Sequence, residues 1–221
     1  MKIVNTIQEV RECVKAWRTE GLSVGFVPTM GYLHEGHQSL IHRASIENDR
    51  VVVSIFINPL QFGKNEDLDH YPRDLKRDSN ICAAAGTNLM FHPDPDEMYG
   101  KDFCSFVDMN GLTETLCGKS RPNHFRGVCT VVLKLFNIVK PDRAYFGQKD
   151  AQQIAVIKRM VEDLNIDVEI VPCRTVRESD GLAKSSRNIY LNKEERRASS
   201  ILQEALQIAE NKLTSGIRTT A

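Results

Sequence analysis

The 221-residue sequence has no charge of one sign to spend: 29 basic residues balance 29 acidic ones. No global field therefore draws it to nucleic acid or to an anionic membrane, and a small-molecule partner is expected instead. It lacks a long apolar run. The N-terminus, MKIVNTIQEVRECVKAW, interrupts its apolar residues with charges every few positions, which excludes a secretory leader or membrane span there and points to a cytoplasmic protein. It also lacks any CxxC pair. The six cysteines, at 13, 82, 104, 117, 129 and 173, have neither the density of a disulfide framework nor the spacing of a zinc finger, so reduced thiols are expected.

Three nucleotide or metal motifs are missing as well. There is no GxGxxG, which removes the usual dinucleotide fingerprint. Gly118-Lys119-Ser120 imitates the end of a P-loop, yet Gly111 precedes Gly118 by six intervening residues where the motif allows four. His34-Glu35-Gly36-His37 is followed by Gln38 and not by the second histidine of a zinc-protease HExxH. Internal repeats and low-complexity tracts are absent too.

What is present alternates between two periodicities. Thr6 to Glu9 is a capping box that opens a helix with Ile7, Val10, Val14 and Trp17 at helical spacing. Apolar runs Leu22 to Val27 and Val51 to Ile57 read as buried parallel strands, with a helix from about His34 to Glu47 between them. A helix from Arg73 to Ala85, stopped by Gly86, precedes a strand from Thr87 to Phe91. After an irregular stretch, helices at Val128 to Val139 and Asp150 to Leu164 flank a strand at Ala144 to Phe146, and a last strand covers Val168 to Pro172. This alternation predicts a Rossmann-like, doubly wound parallel sheet in residues 1–176. Residues 177–221, with a single helix from Asn192 to about Thr214, form a partial, smaller C-terminal domain.

In open parallel sheets ligands bind beyond the carboxyl ends of the strands, so the residues just after each run carry the most information. They form four polar clusters: Pro28 to His37, Asn58 to Phe62, Gly147 to Asp150, and Ser185 to Asn188. His34 and His37, three apart, share a face at a helix start, where free N–H groups favour phosphate, and Gly36 between them leaves room for a close approach. Lys149 can place a point charge on phosphates while Asp150 holds a metal ion, and Ser185, Ser186 and Arg187 offer hydroxyls and a guanidinium fork. Gln61 and Gln153 can read the hydroxyl and carboxylate of a small acid. Taken singly, each of these also fits an ordinary polar helix start, linker or surface.

Five stretches give the set a more specific meaning: PTMGYLHEGH (28–37), FINPLQF (56–62), YPRD (71–74), HFRGVCTVVLKLFNIVKPDRAYFGQKDAQQ (124–153) and RESDGLAKSSRNIYL (177–191). In this order, over nearly the whole chain, they resemble the pantothenate synthetase family, whose HxGH signature places it in a nucleotidyl-transferring superfamily. The resemblance implies an ATP- and Mg²⁺-dependent ligase that activates pantoate as pantoyl-adenylate and couples it to β-alanine. It implies that His34 and His37 bind ATP and stabilise the transition state, with His37 as proton donor. Met30, Gly31, Gly147 and Val176 fall on the adenosine side, and Lys149, Ser185, Ser186 and Arg187 on the phosphates. Gln61 and Gln153 fall on pantoate with Asn58 nearby, and Asp150 and Asp78 in the metal environment. Lys184 departs from the apolar residue that many members carry there; an extra cation could reinforce the phosphate grip or face solvent. The resemblance further implies a homodimer and a C-terminal domain that closes as a lid; this sequence ends inside that domain, which makes an incomplete lid the expectation. A nucleotidyltransferase of the same superfamily and a non-catalytic nucleotide-binding module are the alternative readings.

Overall fold

The computed structural model describes residues 1–219. Six parallel strands form one sheet in the order β1-β4-β3-β2-β5-β6: β1 (Lys2–Val4), β2 (Val24–Thr29), β3 (Arg50–Ile55), β4 (Leu89–Phe91), β5 (Arg143–Gly147) and β6 (Glu169–Cys173). The Rossmann-like expectation holds. Helices α1 (Ile7–Thr19), α2 (Glu35–Glu47) and α3 (Leu75–Ala84) fall in the first half. Short α4 (Pro95–Met98) and α5 (Leu116–Ser120), long α6 (His124–Val139) and α7 (Ala151–Asp163), then α8 (Lys193–Ala198) and α9 (Ile201–Thr214) complete the order.

Strand pleating divides the core. Val52, Phe26, Leu89 and Phe146 point to the side covered by α1, α6 and α7. Val51, Val53, Ile55 and Tyr145 point to the side covered by α2 and α3. Both faces of the sheet are buried, which is why the strands read as near-continuous apolar runs. The six cysteines are all free thiols.

Several boundaries differ from expectation for identifiable reasons. β1 has no counterpart among the expected strands; it is three residues long, largely exposed, and too short for a period to register. β2 continues through Pro28, although the apolar run stops at Val27. Pro28 sits opposite Ser54 of β3, while β5 pairs with β2 only at Gly25 and Phe26, so on the β5 side no partner waits for the missing N–H. α6 begins four residues earlier than expected, after Asn123 in a left-handed conformation. The single C-terminal helix is two. Ser199 and Ser200 turn their hydroxyls back onto the carbonyls of Arg196 and Arg197, and the helix breaks between α8 and α9.

The divergence of β2 from β5 positions the site. β2 is followed in chain order by β3 on one side and has β5 on the other, so the winding reverses between β2 and β5. Pairing there stops after two residue pairs, and the strand ends splay apart. A cleft opens where the topology requires one.

Candidate active site

The cleft lies between the ends of β2 and β5, with α2 below one wall and α6 along the other. The sequence-derived candidates Met30, His34, His37, Asn58, Gln61 and Gly147 line it. So do Lys149, Asp150, Gln153, Val176, Lys184, Ser185, Ser186 and Arg187. Gly31 and Asp78 do not; they face a neighbouring recess shared with Pro72 to Leu75 and His92 to Pro95. Asp78 is buried, and its two carboxylate oxygens accept the N–H groups of Tyr32 and Leu33 at 2.7 Å each. It therefore braces the turn from β2 into α2. Asp150 lies in the cleft itself, so the two aspartates expected to share a metal environment occupy different recesses.

The start of α2 is built from its two histidines. His34 is the N-cap and not the first-turn residue that the spacing suggests; its Nδ1 accepts the Gly36 N–H at 3.1 Å. His37 Nδ1 accepts the His34 N–H at 3.2 Å, which closes a reciprocal cap of the Ser-x-x-Glu kind with imidazoles in both roles. A Cβ on Gly36 would come within 2.8 Å of the His34 ring, so this glycine makes room for the imidazole, where a close ligand approach was expected. A backbone N–H can only donate. Both Nδ1 atoms must then be lone-pair acceptors, and the ring proton of each neutral imidazole sits on Nε2.

Electrostatics favour that neutral state. Burial pushes His34 down to about 4, with Lys149 adding repulsion. Burial, then the neighbouring His34 ring at 4.1 Å and Lys149, push His37 down to about 3. At neutral pH the pair consequently offers two N–H donors to the cleft and carries no charge.

The opposite wall is the loop after β6. Ser185 caps a 3₁₀ turn, its hydroxyl accepting the Arg187 N–H at 3.3 Å. Buried Ser186 donates to the Tyr32 carbonyl at 3.0 Å, tying the loop to the β2–α2 turn. The Arg187 guanidinium binds Asp67 through two bonds of 2.8 Å and lies over the Tyr71 ring at 5.2 Å. Lys184 does not point freely to solvent. Its ammonium lies 2.9 Å from Glu35 and 3.2 Å from Glu178, joining the loop to the first turn of α2.

Sequence reasoning missed Arg121, His124 and Arg174, all of which line the cleft. Arg174 directly follows β6, and the strand-end rule applied there would have found it. Arg121 and His124 belong to an irregular stretch whose only signal was the run HFRG. The charge balance is now informative. Arg121, Lys149, Arg174, Lys184 and Arg187 line the cleft with Asp150 as its one lining carboxylate; Arg121, Lys184 and Arg187 are paired with Glu66, Glu35, Glu178 and Asp67 just outside it, which leaves Lys149 and Arg174 as the less compensated cations. An anionic ligand is favoured in it.

Among the described residues no group of three or more His, Cys, Asp or Glu side chains is arranged to hold a metal ion, and no helix is long and apolar enough to cross a membrane. A doubly wound sheet whose switch-point cleft carries cations and hydrogen-bond donors at a helix start defines the class: an α/β protein with a site suited to an anionic small molecule.

The comparisons narrow that class. Residues 2–221 match the pantoate-beta-alanine ligase family. Pantothenate synthetase of Clostridium acetobutylicum is 61% identical over 216 residues, covering 98% of this chain and 77% of the relative. The crystal structure of pantothenate synthetase from Thermus thermophilus superposes with a TM-score of 0.93 at 49% identity, over 98% of this chain and 77% of that one. The pantoate-beta-alanine ligase of Francisella tularensis, complexed with beta-gamma ATP and beta-alanine, gives 0.88 at 39% identity, over 94% and 79%. The chain belongs to the pantoate-beta-alanine ligase family.

Proposed function

We propose that this protein joins pantoate to β-alanine at the expense of ATP, in the cleft between β2 and β5, through a pantoyl-adenylate. One observation supports the placement: two neutral imidazole donors stand in a cleft whose lining holds five cations, three of them paired with carboxylates outside it. In the first step a pantoate carboxylate oxygen bonds to the α-phosphorus as the bond to pyrophosphate breaks. In the second the β-alanine amine attacks the acyl carbon, AMP leaves with the oxygen that bridged that carbon to phosphorus, and the amine proton passes to solvent.

The Nε2–H groups of His34 and His37 donate to phosphoryl oxygens as charge builds on them, in a site where water competes poorly. This makes His37 a hydrogen-bond donor to the transition state; an imidazole held near pKa 3 contains almost no imidazolium at neutral pH to act as a proton donor. Lys149, Ser185 and Arg187 engage the phosphates, while Ser186, whose hydroxyl hydrogen is given to the Tyr32 carbonyl, holds their loop against the β2–α2 turn. Met30, Gly147 and Val176 flank the adenosine, with Gly31 shaping the turn behind them. The amides of Gln61 and Gln153 orient pantoate, and Asn58, buried with both amide hydrogens used by Gln61 Oε1 and the Gly127 carbonyl at 3.1 Å, holds Gln61 in place.

Mg²⁺ fits this donor set in the manner usual for nucleotide enzymes: Asp150, the carboxylate lining the cleft, would help hold it together with substrate phosphate oxygens and water. When bound, it would neutralise phosphate charge during transfer. The reading also includes a cytoplasmic homodimer and a division near Val176. Support for the division comes from α8 and α9, which contribute no buried residue to the core of residues 1–176.

Incubation with ATP, Mg²⁺ and pantoate tests the reading. Pyrophosphate release that needs pantoate but not β-alanine, followed by pantothenate formation once β-alanine is added, is the expected result. Pyrophosphate release indifferent to pantoate contradicts it, as does ATP binding with no turnover.

A further inference from the structure

His124 stands at the first turn of α6, nine-tenths buried, and the mechanism above leaves it without a task. Its Nε2 lies 3.1 Å from Arg121 Nη1, and its Nδ1 lies 2.9 Å from the backbone carbonyl of Gln61. A guanidinium has no acceptor, so Nε2 must present a lone pair and the ring proton must sit on Nδ1. From there it donates to the Gln61 carbonyl. Arg121 is in turn fixed by a two-pronged pair with Glu66, whose Oε1 lies 2.7 Å from Nε; both partners are largely shielded, and Glu66 does not line the cleft.

The Pro59–Gln61 turn rests on the same helix end. Gly127 lies so close beneath it that an added Cβ would be 2.3 Å from the Leu60 carbonyl oxygen and 2.6 Å from the Gln61 nitrogen. Asn58 ties the turn to the Gly127 carbonyl and to the Tyr99 hydroxyl, which donates at 2.7 Å. Gln61 thus has a backbone clamped from α6 and a side chain lying between Asn58 and Met30 Sδ.

We propose that Glu66, Arg121 and His124 form a positioning relay that locks His124 in its Nδ1–H form and thereby sets the Pro59–Gln61 turn, so that Gln61 presents its amide to the carboxylic acid substrate. The proposal rests on the reading of Gln61 as a pantoate contact. His124 is a positioning residue; its ring acts on the substrate through Gln61. The relay contains no group that must change protonation during turnover. Its contribution is to orientation, where small displacements are costly.

Steady-state kinetics on the full chain distinguish the possibilities, with circular dichroism to confirm folding. His124→Ala should raise KM for pantoate about tenfold, the effect of one lost buried hydrogen bond, with KM for ATP changed less than about twofold. His124→Asn places an amide N–H where Nδ1–H was and should restore KM to within about threefold of the parent. Glu66→Gln, outside the cleft, should raise the same KM by a smaller factor, and it keeps the test available if His124→Ala does not fold. In a Gln61→Ala background, His124→Ala should add almost nothing. Multiplicative effects of the two changes, or an unchanged KM in both Glu66→Gln and His124→Ala, overturn the relay while leaving Gln61 its role. If Gln61→Ala leaves KM for pantoate unchanged and His124→Ala raises it, the reading of Gln61 falls and the relay with it.

Discussion

The two walls of the cleft, proposed to take the phosphates of ATP, are prepared in opposite ways. At the start of α2, His34 and His37 spend their Nδ1 atoms on backbone N–H groups and leave both Nε2–H donors for a ligand. In the loop after β6, Arg187 and Lys184 are cationic but already hold Asp67, Glu35 and Glu178. The first wall is organised before any ligand arrives. The second must exchange ion pairs to engage a phosphate, so part of its attraction is offset by the partners it gives up. Preorganised donors act on the transition state, whereas a cation drawn from an existing pair contributes mainly to binding.

The strongest way to break this contrast is His37→Ala. It should lower pantoate-dependent pyrophosphate release by about 10² to 10³-fold, the range for losing one donor at a developing oxyanion, with little change in KM for ATP. A rise in KM alone would erase the distinction between the walls. Next in size, Arg187→Ala should raise KM for ATP about tenfold, while Asp67→Asn, which releases the guanidinium, should lower it two- to threefold or so. Shifts in the same direction would show that Asp67 orients Arg187 and does not compete for it. The smallest effect belongs to Lys184→Met, since its ammonium is shared between two carboxylates; KM for ATP should move by less than about twofold. A larger change would assign Lys184 to the phosphates directly.

Which features were readable from sequence follows the same physical divide. The sheet was legible because buried parallel strands leave continuous apolar runs such as Val51 to Ile55, and the strand-end rule then located both histidines and Lys149. Pairings across long sequence separations leave no such trace. Nothing near Arg187 announces Asp67, 120 residues away, and nothing near Tyr32 announces that Asp78 will fold back to brace it. His34 reads as a first-turn residue because spacing fixes which residues share a helix face but not where the cap falls. His124 was concealed for a further reason. Its stretch has no regular period before α6, and its importance comes from a single contact with a backbone carbonyl 63 residues earlier.

The state of the two imidazoles at the start of α2 is the central claim. Nitrogen-15 NMR of histidine-labelled protein without nucleotide, followed from pH 8 to pH 4, reads it directly. Folding lowers both pKa values below the unperturbed value of about 6.5, so His34 and His37 should remain neutral down to about pH 5, with the proton on Nε2. Titration of either ring near pH 6.5, or a proton on Nδ1 at neutral pH, would contradict the account.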